Sequence, residues 1–379
     1  MARMIKKAVL PAGFTANGVN CGLKKSGKPD LAVFYSAAQA KAAGMFTTNK
    51  IASPAVALCK SYLKSGKGFH AIIANSGNAN CFTGKQGLAD AVKVTAEAGK
   101  ILKIAKSAVF PASTGIIGKR LDTAKITRAL PGLISGASAT GIEKAKRAIM
   151  TTDKFPKEFT AKFDIGGKTV TICGVAKGAG MISPKMATML VFIFTDAVIS
   201  QKALGKALAG AVERSFNRMT VDGCMSTNDT VILLANGCSG NKLITEKDNF
   251  KPFSSALDMI CLELAKLMAK DGEGASKLIE IRVKGARNDI QAKSAALAIA
   301  NSNLFKTAVY GENPNFGRVV QAVGASGVEV KEEKLKIKLG PLDKKEVWVD
   351  VDLGLGKGGC VVYTSDLTPE YIKINAAYN

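Results

Sequence analysis

Seven consecutive residues, Met189 to Thr195 ("MLVFIFT"), constrain this chain's fold more than any other stretch. Apolar up to its closing threonine, and rich in β-branched and aromatic side chains, the run reads as a buried strand. Asp196 closes it. Upstream, Gly178, Ala179 and Gly180 strip side chains from a loop that passes through Pro184 and Lys185 to Ala187 and Thr188. A lone threonine therefore stands at the lip of a buried strand, behind a loop of small residues.

Around that strand the chain alternates short apolar runs with turns. "LAVFYS" (31–36), "AVALCK" (55–60) and "AIIANSGNAN" (71–80) read as strands, with His70 at the start of the third. Residues 86–104 carry helical periodicity through Leu88, Ala91, Val92 and Leu102. "SAVFPASTGIIG" (107–118) returns to strand, and "GIEKAKRAIM" (141–150) predicts a basic amphipathic helix. Residues 162–178 predict a hairpin turning at Gly166–Gly167. Beyond Thr188, helices are predicted over 201–217, 255–270 and 289–301, with strands at 231–234 and 278–283 between them. "KLKIKLG" (334–340) and "EVWVDVDLG" (346–354) alternate strictly and predict an antiparallel pair in a small C-terminal layer. The mixture is α/β with many antiparallel elements, and no regular βαβ series supports a doubly wound sheet.

Composition narrows the chemistry. A chain of 379 residues with 47% hydrophobic content is long and apolar enough for two or three globular domains. No run approaches the roughly 18 apolar residues of a membrane span. The start, "MARMIKKAVLPAGF", holds too short an apolar segment for a signal peptide, so a cytoplasmic location is expected. Eight cysteines occur without a CxxC pair, which predicts isolated thiols and no zinc site. His70 is the only histidine. A Ser–His–Asp or Cys–His mechanism would have to use it, and no two-histidine metal site can be built within one chain. The net charge of +23 raises the question of nucleic acid, but the basic residues are scattered among only six tyrosines and one tryptophan. A lysine-rich solvated surface that attracts small acidic molecules is the expectation, with neither nucleic acid nor membrane as partner.

Thr188 offers a mechanism that needs no histidine. Were the chain cut between Ala187 and Thr188, the freed α-amine would lie within reach of its own hydroxyl. With an unperturbed pKa of about 7.7–8.0, it would serve as base. The upstream glycines would let the loop bend until the hydroxyl meets the preceding carbonyl. Four other stretches carry polar groups suited to acyl transfer. "FPASTGIIGK" (110–119) sets Ser113, Thr114 and Gly115 after an apolar strand, and a hydroxyl beside a glycine amide can stabilise an oxyanion. "ANSGNANCFTG" (74–84) and "TVDGCMSTNDT" (220–230) are polar loops dense in amides and hydroxyls. "AKDGEGAS" (269–276) isolates Glu273 between glycines at a helix end, where it would engage an ammonium group. Each of these alone also reads as an ordinary capped turn.

Taken in order, "PASTGIIG", "AIMTTDKFPK", "KGAGMISPKMATML", "TVDGCMSTNDT", "KDGEGASK", "NPNFGR" and "YIKINAAYN" resemble segments of the ArgJ family, the ornithine acetyltransferases or glutamate N-acetyltransferases. The resemblance runs from "LPAGFTANGVNCGLK" to the last residues. It implies an α/β (α+β) fold, an ArgJ/DmpA-like layered α-β-β-α sandwich with a smaller C-terminal α/β layer. It implies self-cleavage between Ala187 and Thr188 into an α chain (1–187) and a β chain (188–379), the β chain including a smaller C-terminal part from about 285. Thr188 is then the nucleophile that takes the acetyl group from N-acetylornithine, releases ornithine and passes the group to glutamate. Thr114 and Gly115 match the oxyanion pair. Thr151 or Thr152 of "TTD", Lys177, Thr188, Glu273 and Asn375 match substrate-contacting positions. Lys177 would meet the substrate carboxylate and Glu273 its ammonium. No cofactor is implied, although acetyl-CoA is admitted as a co-substrate, and the expected assembly is an (αβ)2 heterotetramer.

Two departures from the family pattern stand out. Lys185 follows Pro184 where asparagine is usual, and a terminal hydroxyl contact expected just past Asn379 is absent. An N-terminal-nucleophile amidohydrolase, with water in place of glutamate as acyl acceptor, is the alternative within the same chemistry.

Overall fold

The computed structural model describes residues 2–66, 68–183 and 189–377. The chain divides into two compact units. The first comprises Met1–Gly178, Thr188–Arg214 and Ser226–Leu264; the second comprises Ala179–Ala187, Ser215–Met225 and Ala265–Asn379.

The first unit opens with strands β1 (Arg3–Ile5), β2 (Phe14–Val19) and β3 (Leu31–Phe46), then helix α1 (Pro54–Ser65) and strand β4 (Phe69–Asn78). Helix α2 (Gly84–Leu102), strand β5 (Val109–Ile116) and helices α3 (Thr123–Ser135) and α4 (Ile142–Ala148) follow. Strands β6 (Lys157–Ile165), β7 (Lys168–Lys177) and β8 (Leu190–Thr195) lead to helix α5 (Gln201–Arg214), strand β9 (Thr230–Ala235) and helix α6 (Phe250–Lys270). The strands join in the order β1-β6-β7-β8-β9-β3-β4-β5, with β2 also paired to β3.

Strand β3 gives the unit its shape. Its first part, Leu31–Tyr35, pairs with β2 and β4, its last part, Lys41–Phe46, pairs with β9, and the β4 register shifts between Tyr35 and Ala40. That irregularity bends the strand. The two halves of the sheet then face each other. Phe34 of β3 meets Phe192 and Phe194 of β8 at ring-centroid distances of 5.1 and 5.2 Å, and Phe14 of β2 meets Phe194 at 5.3 Å. Each such ring, fully buried, contributes about 1.5–3 kcal/mol. Outside one half, Val94 and Ala98 of α2 and Ile126, Leu130 and Leu133 of α3 pack on Leu31, Val33, Ala71, Ile73 and Val109. Outside the other half lies α6, so close that a Cβ on Gly174 of β7 would stand 2.8 Å from Ile260 and 2.9 Å from Leu264. The result is the expected α-β-β-α sandwich, with β8 buried along its whole length between antiparallel β7 and parallel β9.

The hairpin of β6 and β7 turns at Gly166 and Gly167, whose φ angles of +61° and +79° suit a two-residue primed turn. His70 opens β4, and its Nδ1 lies 3.0 Å from the Ser36 carbonyl, a structural contact. The eight cysteines are free thiols. One expectation is corrected: "AVALCK" is not a strand but part of α1. Ser53 caps that helix by accepting from the Val56 amide, Pro54 supplies its first turn and Gly66 closes it in the left-handed conformation. The apolar run is the buried face formed by Ala55, Val56, Leu58, Cys59 and Tyr62.

The second unit holds a four-stranded sheet built from β10 (Leu278–Ala286), β11 (Lys336–Leu339), β12 (Glu346–Asp352) and β13 (Gly358–Ser365), in the order β11-β12-β10-β13. Strands β11 and β12 form the predicted antiparallel pair, while β10 joins β12 in parallel and β13 antiparallel. Helices α7 (Asp289–Ala300), α8 (Asn303–Tyr310), α9 (Gly317–Gly324) and α10 (Pro369–Ala377) complete the unit. Ala292, Ala295, Ala296 and Ile299 of α7 fill one sheet face against Ile279, Ile281, Val347, Val349 and Val351. Among the described residues no helix is long and apolar enough to cross a membrane.

Candidate active site

In the first unit, parallel strands β4 and β5 end side by side, and Gly77 pairs with Gly115. Gly115 has φ +134°, and a Cβ there would stand 2.3 Å from the Gly77 carbonyl carbon. Only glycine fits. This tight crossing fixes Thr114, which is buried, at the strand tip. Its neighbour Ser113 donates to Asn75 Oδ1 of β4 at 2.7 Å and so locks the two tips together.

Lys177, the last residue of β7, brings its charge to this tip. The Nζ atom donates to Thr151 Oγ1 at 2.7 Å and to Thr114 Oγ1 at 3.4 Å. Of the two threonines in "TTD", Thr151 meets Lys177 through its hydroxyl, and Thr152 is the next residue along the same loop. A buried ammonium requires a counter-charge. Asp153 supplies it: one carboxylate oxygen lies 3.9 Å from Lys177 Nζ and the other 2.5 Å from Nζ of Lys157, at the start of β6. Asp153 also accepts the amides of Thr151 at 2.9 Å and Gly178 at 2.7 Å, which ties the threonine loop to the end of β7. Burial alone would raise its pKa. Lys177 and Lys157 outweigh that effect and hold the carboxyl well below the usual carboxylate range.

Lys24, in the loop after β2, reinforces the same corner. Its Nζ donates to the carbonyls of Pro29 and Met150, each at 2.7 Å, and so anchors the residue before Thr151. Burial, with Lys177 nearby, lowers its pKa to about 8 against the pull of Asp30. The lead into β9 completes the frame. Asn228 Nδ2 donates to the carbonyls of Ala79 at 2.7 Å and Ser113 at 2.8 Å, while Asp229 Oδ1 accepts the Met189 amide at 3.1 Å.

The second unit holds its own cluster. Glu273, in the turn after α6, accepts a hydrogen bond from Asn375 Nδ2 of α10 at 3.0 Å, and its backbone amide donates to the Ala179 carbonyl at 2.8 Å. Asp222 accepts the amides of Met181 at 2.6 Å and Ile182 at 2.8 Å, and the Tyr371 hydroxyl at 3.4 Å. Thr114, Gly115, Thr151 and Lys177 thus meet in one unit, and Glu273 meets Asn375 in the other. Ala187, Thr188 and Lys185 lie outside the described residues.

Sequence reasoning did not single out Lys24, Asp153, Lys157, Asn228 or Asp229. Asp153 and Lys157 stand four apart within "TTDKFPK", and Asn228 and Asp229 within "STND", so the signals lay inside quoted motifs. A buried lysine on a strand is not betrayed by periodicity.

A hydroxyl and a glycine amide beside a buried ammonium can receive the negative oxygen that develops during acyl transfer. Comparison with known proteins agrees with that chemistry. Residues 15–344 match the model of the ArgJ family. The chain belongs to the ArgJ family. It is 42% identical to the arginine biosynthesis bifunctional protein ArgJ of Geobacter sulfurreducens, over 97% of this chain and 98% of that one. The protein of the same name from Caldanaerobacter subterraneus is also 42% identical, over 98% of both chains. A crystallised ArgJ from Bacillus halodurans aligns over 49% of this chain and 98% of its own, at 39% identity and a TM-score of 0.48. Membership in the ArgJ family makes this chain an acyltransferase of arginine biosynthesis.

Proposed function

We propose that this ArgJ protein is a cytoplasmic, self-cleaving acetyltransferase that moves an acetyl group from N-acetylornithine to glutamate through Thr188. The observation that carries the reading is the buried Lys177 ammonium, held between the hydroxyls of Thr151 and Thr114 beside the obligatory Gly115.

In the precursor, Thr188 Oγ adds to the Ala187 carbonyl carbon. The 187–188 C–N bond breaks, its nitrogen takes up a proton, and water hydrolyses the resulting ester. This leaves chains 1–187 and 188–379. The new α-amine then accepts the hydroxyl proton as Thr188 Oγ attacks the acetyl carbon of N-acetylornithine. Thr114 and the Gly115 amide stabilise the oxyanion, and ornithine departs with the proton. Glutamate's amine attacks the acetyl-threonine ester in the reverse sense and leaves as N-acetylglutamate. Lys177 takes the α-carboxylate common to both substrates, Thr151 positions Lys177, and Glu273 with Asn375 takes the ornithine ammonium. Acetyl-CoA would be a second donor to the same threonine, and its use would give the protein a second activity. Two αβ pairs associate in the working enzyme.

Intact-mass measurement of the purified protein tests the first step: two fragments, the second beginning at Thr188, are expected. Thr188→Ala should leave one uncut, inactive chain, and acetyl transfer by that variant would sink the reading. Incubation with N-acetylornithine and glutamate should yield N-acetylglutamate. Acetate alone would make the protein an amidohydrolase.

A further inference from the structure

Asp229 is the most deeply buried acid near the start of β8, and half of its carboxyl is unused. Its relative exposure is 0%, yet Oδ2 is buried without a hydrogen-bond partner among the described residues. Buried polar atoms are nearly always paired, so an orphan oxygen requires a reason. The rest of the residue is firmly held. Its carbonyl accepts the Thr47 amide at 3.1 Å, and Oδ1 accepts the Met189 amide at 3.1 Å. The next residue, Thr230, donates its own amide to the Met189 carbonyl at 3.1 Å. Met189 is therefore gripped on both sides by residues 229 and 230, and Met189 is one peptide bond from Thr188. One residue earlier, Asn228 grips the Ser113 carbonyl, one peptide bond from Thr114. The Asn228–Asp229 pair thus spans from the oxyanion strand to the nucleophile strand.

Resting on the function proposed above, we infer that Asp229 is a positioning residue for the nucleophile: Oδ1 fixes the amide joining residue 188 to Met189, and Oδ2 is kept open for the amine that cleavage exposes on residue 188. Before cleavage the orphan oxygen is tolerable because burial pushes this carboxyl well above the usual range, although the Met189 amide, Thr47, Lys177 and Ser226 favour its charged form. After cleavage an ammonium gives it a partner. A carboxylate beside an amine favours the protonated amine and sets the pH at which that amine becomes a base. Of the groups acting on Asp229, Lys177 of β7 is charged and Thr47, Ser226 and the Met189 amide are neutral; substitution at 229 leaves them all in place.

The test uses Asp229→Asn, which keeps an acceptor for the Met189 amide but no acid, and Asp229→Ala, which keeps neither. Self-cleavage, kcat, KM and the pH dependence of acetyl-enzyme formation are measured beside melting temperature. Asp229→Ala should slow cleavage by about 10²-fold, the cost of an ångström-scale misplacement. Asp229→Asn should recover most of the cleavage rate, leave KM unchanged, and move the pH midpoint of acetylation down by about 1 unit. Asp229→Asn that is folded and cleaved, with a wild-type midpoint, overturns the inference about Oδ2. Folded Asp229→Ala that cleaves at the wild-type rate overturns the one about Oδ1. Failure of the underlying function would show separately, as acetyl transfer by Thr188→Ala.

Discussion

Replacing Asp153 with asparagine should cost this protein more stability than almost any other conservative change. The carboxylate is fully buried between two fully or nearly buried lysines, with Nζ atoms at 2.5 Å (Lys157) and 3.9 Å (Lys177). Removing one partner of a buried pair costs about 3–5 kcal/mol, because the other charge is left uncompensated. The amide also puts donors in place of an oxygen that now accepts backbone N–H groups. With a urea m-value of about 3 kcal/mol/M, 3–5 kcal/mol lowers the unfolding midpoint by about 1–1.7 M. The pH dependence gives a second check. The folded pKa of Asp153 is depressed, so its contribution is complete above the unfolded value and is lost as pH falls through the folded one. The gap between wild type and Asp153→Asn should therefore hold from pH 7 down and close progressively below the unfolded carboxyl pKa of about 3.9. A gap under about 1 kcal/mol at pH 7, a value typical of exposed pairs, would refute the electrostatic account. So would a gap that persists undiminished well below pH 3.9.

Gly115→Ala should abolish acetyl transfer and destabilise the fold, because its Cβ would stand 2.3 Å from the Gly77 carbonyl carbon on β4; a variant with wild-type kcat and melting temperature would show that the strand tips can part. Lys24→Met should lower kcat/KM by freeing the Met150 carbonyl that leads into Thr151. It should also remove a rise in wild-type stability between pH 8 and the unfolded lysine pKa of about 10.4, since Lys24 sheds its proton in the folded state at about pH 8; melting curves across that range decide it.

The sandwich was legible wherever one strand or helix face carried a whole pattern. "MLVFIFT" lies buried as β8, and the alternation in 346–354 marks β12 correctly, because a strand with one covered face must alternate. "AVALCK" misled because a short, mostly apolar stretch of helix, four of whose six residues are buried, looks like a strand at this length; the Ser53–Pro54 start was the signal that decided it physically. Helix α3 went unread although Asp122 caps it through the Lys125 amide, since Pro131 within it argues against a helix. The 16 residues of β3 were read only to Ser36, because the strand changes partners in its middle and its exposed face turns with them. Site residues divide in the same way. Thr114, Gly115 and Lys177 stand in motifs with an obvious chemical use. Asp153, Lys157 and Asp229 work by burial, and burial is a property of the folded chain.

The charge balance around Thr151 bears on what the site is made to hold. Lys177 and Lys157 both meet the Asp153 carboxylate, and Lys24 stands near them with half its charge available near pH 8. A buried charge is costly unless it is answered. On the proposed function, the α-carboxylate of the incoming amino acid comes to this cluster of ammonium groups only while substrate is bound. N-acetylornithine and glutamate both gain from that contact, because both carry the carboxylate.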